Sequence, residues 1–206
     1  MHAQPRSRLA LSTTTQKPGT RERILVASAE LFRRQGYVAT GVKQIVSEAE
    51  APFGSVYHFF PGGKEQLGGE VIRSAGAMYG LLLPAVFDNA PDILTGAREF
   101  FALAGQHLSE SDYADACPIA TVALEVSSSS EPMREACADV FGDWISAGTD
   151  WLESSGNATE TARELVTSML CLLEGAFIFA RAMRSREPLE TAGRAMVALL
   201  EGALPG

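Results

Sequence analysis

Positions 57 to 60 carry four rings in succession, Tyr57, His58, Phe59 and Phe60, and the chain then turns through Pro61, Gly62 and Gly63. Neighbouring residues on a helix point in different directions, so these rings cannot all enter one core. The pattern fits a short helix that serves two surfaces and stops at once. Val56 and Phe60, four apart, share a face and can pack on earlier helices. Ser55, Tyr57 and His58 lie off that face. A phenol and an imidazole can hydrogen-bond phosphate oxygens, and a Ser hydroxyl can reach either a base edge or a phosphate. Phe59 either wedges beneath the helix or touches a groove. Lys64 opens the next helix, where its ammonium and the free amides of the helix start can grip a phosphate.

The rest of the chain reads as helix. Sustained period-two alternation and Asn-Gly hairpin signals are absent, and apolar residues recur at helical spacing. Thr20 can cap a first helix with Ile24, Ser28, Leu31 and Phe32 on one face, ended by Gly36. Thr40 can cap a second, with Val42, Ile45, Val46 and Ala49 inward. Pro52 breaks it, and residues 53–60 give about two turns of a third. The fourth is expected from about Lys64 to Pro84. Larger helices follow over 93–107, 117–126, 133–152 and about 159–184, with a last one opened by Pro188. The expectation is an all-α chain of about nine helices in three parts. These are a flexible basic arm (1–19), a DNA-binding domain (20–66, helix-turn-helix about 41–60) and a ligand-binding and dimerisation body (67–206).

Charge supports this division. Residues 1–64 hold nine Lys/Arg against four Asp/Glu, whereas the remainder holds eight against 21, inside a net charge of −8. A basic head on an acidic body points to a polyanion-binding module attached to something with another task. The first 19 residues are polar, so no secretory leader is expected. The most apolar run, 169–180, is short and interrupted by Glu174, so no membrane span is expected. Cys117, Cys137 and Cys171 are scattered, which reads as reduced thiols in a cytoplasmic protein with no metal and no cofactor. A nucleophile elbow, an HExxH pair and a phosphate-cradling glycine loop are all missing, so an enzyme is not expected.

The segment from Thr20 to Leu67 resembles the DNA-binding domain of the tetracycline-repressor (TetR) family. The likeness rests on Ile24/Leu31/Phe32, Gly36-Tyr37, Thr40, Ile45, Gly54-Ser55, Tyr57-His58, Phe60-Pro61 and Lys64-Glu65, in that order. The extra glycine at 62–63 and the runs at 117–125 and 172–182 resemble the branch that contains lincomycin-resistance-type regulators. The resemblance implies a homodimer on double-stranded operator DNA, with recognition helices in successive major grooves. Thr40, Lys43, Ser55, Tyr57, His58 and Lys64 would then contact DNA, with Phe53 and Gly54 at the start of the recognition helix. Two positions depart from the family pattern. Glu50 stands where a helix-ending glycine is usual. Phe53 stands where a polar or basic residue is common, so it either reads a thymine methyl or removes a contact.

The acidic body offers Phe100, His107, Phe141, Trp144, Met169 and Phe177, which read either as core or as walls of a largely apolar small-molecule cavity. Glu125 and Glu174 interrupt apolar helical runs, and a buried carboxylate requires a partner: an arginine, a second subunit or a ligand. The 169–180 helix is apolar nearly all round. Gly175, Ile178 and Ala182 on it, with Met196 and Leu199 on the last helix, are the expected contacts of a two-chain four-helix bundle.

Overall fold

The computed structural model describes residues 18–154 and 156–203; the arm residues Arg6, Arg8 and Lys17 lie outside the described residues. The described residues form an all-α structure without strands. Its helices are α1 (Thr20–Gln35), α2 (Val42–Glu48), α3 (Ser55–Phe59), α4 (Gly63–Gly80), α5 (Leu82–Phe87), α6 (Ile93–Glu110), α7 (Pro118–Val126), α8 (Glu131–Ser154), α9 (Thr159–Met183) and α10 (Glu187–Ala203). The tenth helix arises because the fourth ends at Gly80 rather than Pro84. Pro84 has no N–H to offer a preceding carbonyl and its ring would clash there, but it is tolerated in the first turn of α5.

Two apolar clusters organise the chain. The first joins Ile24, Phe32, Ile45, Val56, Phe60 and Leu67 of the head to Ile119, Val122, Val126, Met133 and Val140 of α7 and α8. The core is therefore continuous across the 66/67 boundary. The second lies among α5, α6, α8, α9 and α10, with Phe101, Leu165, Met169, Ala180, Leu189 and Met196 at its centre. Helix α4 bridges head and body by lying close against α8. A Cβ at Gly76 would collide with the Val140 side chain, and Trp144 Nε1 donates to Gly76 O at 2.8 Å. By length and composition, 63–87 and 159–183 are apolar enough to cross a bilayer. The first is broken between α4 and α5, and both pack one side into these clusters.

Two capping expectations change. Gly19 and Gly41, not Thr20 and Thr40, precede α1 and α2, and neither start has a side-chain cap. Thr40 is 1% exposed, and its hydroxyl donates to Gly36 O at 2.7 Å, so it locks the α1–α2 turn from inside.

Glu50 has φ +47, the left-handed conformation that closes α2 toward α3. Arg23 holds this end from α1, with Nε donating to Ala49 O at 2.9 Å and a terminal nitrogen to Glu50 O at 3.3 Å. A Cβ is costly at such a φ and glycine is not. Glu50→Gly is therefore expected to stabilise the chain by about 0.5–1 kcal/mol. A rise of a few degrees at most in the calorimetric midpoint checks this, and a fall contradicts it.

Candidate nucleic-acid interface and effector region

Helix α3 has only five residues, and it divides its side chains as the ring pattern requires. Val56 and Phe60 are fully buried. Tyr57 and Phe53 are each 52% exposed and lean on one another with centroids 6.2 Å apart, and His58 is exposed beside them. Phe59 is half-buried, set edge-on to the His58 ring at 4.8 Å, which answers the wedge-or-groove alternative in favour of the wedge. Gly63 takes φ +67 and donates its amide to Phe60 O at 2.8 Å, so the chain reverses immediately after the rings.

Lys43 on α2 is exposed, as are Glu50, Pro52 and Gly54 of the α2–α3 turn, while Ser55 is half-buried. Lys43, Phe53, Gly54, Tyr57 and His58 are thus all open to solvent, on α2, the turn and α3. Thr40 is not open to solvent with them, for the reason given above. Lys64 sits at the head–body junction, half-buried, with Nζ 4.2 Å from the centroid of the Tyr37 ring. Burial lowers its pKa, and the negative charge of Glu125 raises it in return. Gln66 Oε1 accepts from Gly62 N at 2.8 Å and steadies the start of α4.

The expected effector-binding residues fall apart into four places. His107 is exposed on α6 and lines no interior space. Glu125 is engaged elsewhere: its Oε2 accepts from the amides of Tyr37 at 2.7 Å and Val38 at 3.0 Å. Phe141 and Trp144 pack on the first cluster and meet edge to face at 5.8 Å, and Phe177 packs on both clusters. Phe100 and Met169 belong to the second cluster. There Met169 borders a cavity of about 20 Å³ among Leu83, Phe87, Trp151 and Leu165, space on the order of one water. Met169 therefore borders space for one water rather than a roomy chamber.

Glu174 remains distinctive. Its Oε1 is buried and has no hydrogen-bond partner. Burial pushes its carboxyl up to about 7, while the neighbouring Cys117 thiol pulls the other way. The same burial, together with the Glu174 charge, drives the Cys117 thiol well above its ordinary range. A folded-state pKa above the unfolded value means that the native chain binds more protons between pH 4.5 and 7. Stability from this group is therefore greatest below about pH 4.5 and is lost as pH rises through 7. Glu174→Gln is expected to remove this fall, and at pH 8 to melt higher than the parent by on the order of 2 kcal/mol. Parallel melting curves of the two proteins from pH 5 to 8 would contradict it.

Helices α9 and α10 present an apolar outer face. Ile178 is 54% exposed, Phe179 63%, Met183 58% and Leu199 46%. Cys171 and Ala182 are also exposed, and with half-buried Gly175 they continue the Ile178 stripe at helical spacing. An open trough of about 650 Å³ runs beside it, lined by Ser168, Cys171, Leu172, Ala195, Ala198 and Leu199. Met196 departs from expectation: it is 1% exposed and packs inward with Leu189, Ala192 and Leu200.

A trihelical head with a short, ring-bearing helix turned outward, joined by α4 to a helical body, defines a helix-turn-helix DNA-binding regulator. Residues 24–71 match the family "Bacterial regulatory proteins, tetR family", and residues 94–195 match the LmrA/YxaF-like C-terminal domain. The chain is 33% identical over 175 residues to the HTH-type transcriptional regulator YxaF of Bacillus subtilis, covering 85% of this chain and 92% of that protein. It is 32% identical over 170 residues to LmrA of the same organism, covering 82% and 90%. In fold it is similar to a TetR transcriptional regulator from Legionella pneumophila, with TM-score 0.75 and 23% identity over 88% of this chain and 97% of that one. The chain belongs to the TetR family, in its LmrA/YxaF-like branch. Its relatives are transcription regulators, not enzymes.

Sequence reasoning missed Arg23 and the tie made by Glu125. Arg23 was legible in part, since a basic residue one turn inside α1 can reach a helix end. The partners of Glu125 stand 87 and 88 residues upstream, beyond any local pattern.

Proposed function

We propose that the chain is a homodimeric transcriptional repressor that reads a palindromic operator and is released by a small, largely apolar or aromatic effector. The observation that carries this reading is the outward edge of Lys43, Phe53, Tyr57 and His58 on a TetR-family frame. Two such edges held one DNA turn apart, roughly 34–36 Å, match successive major grooves of one duplex. Lys43 and Lys64 neutralise phosphates, Tyr57 and His58 hydrogen-bond them, Ser55 reaches a base or a phosphate, and Phe53 meets a thymine methyl. The dimer is formed through the apolar outer face of α9 and α10, by Gly175, Ile178, Ala182 and Leu199. A DNA reader of this kind works where the bacterial chromosome lies, in the cytoplasm.

The effector contacts Glu174, whose buried unpaired oxygen favours a guest bearing a hydrogen-bond donor on an apolar frame. Trp144, Phe141 and Phe177 are its walls, and the guest makes its room by displacing α4 from α8. Because α4 begins at Lys64, that displacement disturbs the spacing of the two heads. A coupling of about 1–3 kcal/mol changes operator affinity some 5–150-fold. A second reading, a regulator without small-molecule input, is favoured by the close packing around Trp144 and the small cavity beside Met169. A compound that raises the melting temperature without lowering operator affinity would favour that second reading over release.

Selection of duplexes from a random library by the wild-type chain tests the reading. Tyr57→Phe should then weaken binding to every selected sequence alike, by about 3- to 10-fold, as loss of a phosphate contact does. A loss confined to particular bases would assign Tyr57 a base-reading role instead.

A further inference from the structure

Helix α7 touches the head at both ends. Before its first turn, Asp115 pairs with Arg33 of α1. In its last turn, Glu125 accepts the amides of Tyr37 and Val38, which lead from α1 into α2. Its Cys117 end lies beside Glu174.

The Glu125 contact is closely fitted. Gly36 has φ +82, and a Cβ there would run into the Glu125 carboxylate, so the glycine both turns the chain and admits the acidic group. The amides it receives fix Tyr37, whose ring stands edge-on to Phe32 at 5.3 Å, beneath Lys64 Nζ at 4.2 Å and close over Gly68 of α4. One carboxylate on the body thus sets the backbone that positions both the ring under Lys64 and the turn into α2.

We propose that Glu125 is the positioning residue that fixes the angle of the DNA-binding head on the body, with α7 as the strut between the effector region and that joint. The inference rests on the operator-reading function above and adds the part that sets head orientation. With the carboxylate in place the head is held, besides by the shared apolar cluster, along α4, at the Arg33–Asp115 pair and at the α1–α2 turn. Without it the head stays seated on the shared cluster and rocks about α4 and the Arg33–Asp115 pair. A pivoting head still recognises a half-site but no longer holds the fixed distance that a full operator requires.

The test uses the full-length dimer and duplexes selected by the wild-type chain: the full palindrome, the same duplex with two base pairs inserted at its centre, and a duplex bearing one half-site. Glu125→Ala is expected to speed hydrogen exchange at the Tyr37 and Val38 amides at least tenfold. It should weaken binding to the full palindrome about 5- to 50-fold, leave half-site affinity within twofold, and narrow the preference for the uninserted spacing. Glu125→Gln keeps an acceptor oxygen and should restore most of each effect. Gly36→Ala, which pushes the carboxylate out from the other side, should be no worse on the full palindrome when combined with Glu125→Ala than alone. Equal losses on the half-site and the full palindrome would show a folding defect in the head and overturn the proposal. So would unchanged exchange at the two amides, or unchanged spacing preference. If the wild-type chain selects no duplex, the operator-reading function fails and the positioning role falls with it; that result appears in the wild type before any variant is made.

Discussion

Phe179→Glu should convert the protein to single chains and weaken operator binding by about 100-fold or more. Phe179 is 63% exposed on α9, beside Ile178 and Met183, and none of these side chains has an interior to occupy within its own chain. A contiguous apolar face of this kind on a soluble regulator marks an interface. In the proposed dimer a glutamate at this position would bring charge from both chains into an apolar helix pair, which is costly to bury. The expected readouts are a halved mass in sedimentation and an operator affinity reduced to that of one head on one half-site. Half-site binding itself should persist, because Phe179 is exposed and is not among the side chains packed on the first cluster. A dimer of unchanged mass would show that the face of α9 and α10 has another occupant.

The second large effect is expected from Phe60→Ala. Phe60 is fully buried, sits at the end of α3, packs with Ile24, Phe32 and Ile45, and carries the Arg21 guanidinium over its ring at 5.2 Å. Truncation removes the ring's apolar contacts and leaves a cavity that five residues of α3 cannot close, because Pro61 and Gly63 fix the chain just beyond. The expected loss is about 3–5 kcal/mol, a fall in the thermal midpoint on the order of 10 °C. Since the first cluster runs from the head into α7 and α8, one cooperative transition should shift as a whole. A separate early transition confined to the head would contradict the continuous core.

Much of this architecture was legible in the chain. Val56 and Phe60 were assigned to one buried face by their spacing alone, and both are fully buried. Gly36 was read as the end of α1 and takes the positive φ that such an end uses. The errors have physical causes. Thr40 was read as a cap because Thr favours that position, yet the turn at Gly36 brings a carbonyl within 2.7 Å of its hydroxyl and that bond wins. Met196 and Leu199 share a stripe on paper. The 300° that separates them on a helix of 100° per residue leaves them on neighbouring flanks, so one enters the core while the other stays outside. His107 was counted among the rings of core or cavity wall, yet its position on α6 leaves it exposed. Glu125 was flagged for the right reason, an acidic group in an apolar helix, but its partner was sought in an arginine, a second subunit or a ligand. Its partners are two backbone amides that only the folded chain brings within reach.

If two ring-bearing heads on one dimer grip one duplex through its phosphates, as proposed, binding depends steeply on salt. The most direct measurement is the affinity of the wild-type chain for its selected palindrome, by fluorescence anisotropy, across about 50–300 mM salt. With Lys43 and Lys64 of each chain neutralising phosphates, four contacts per dimer give a log–log slope of about −4, at two chains per duplex. A slope near zero, or no binding to any duplex at the lowest salt, would contradict it.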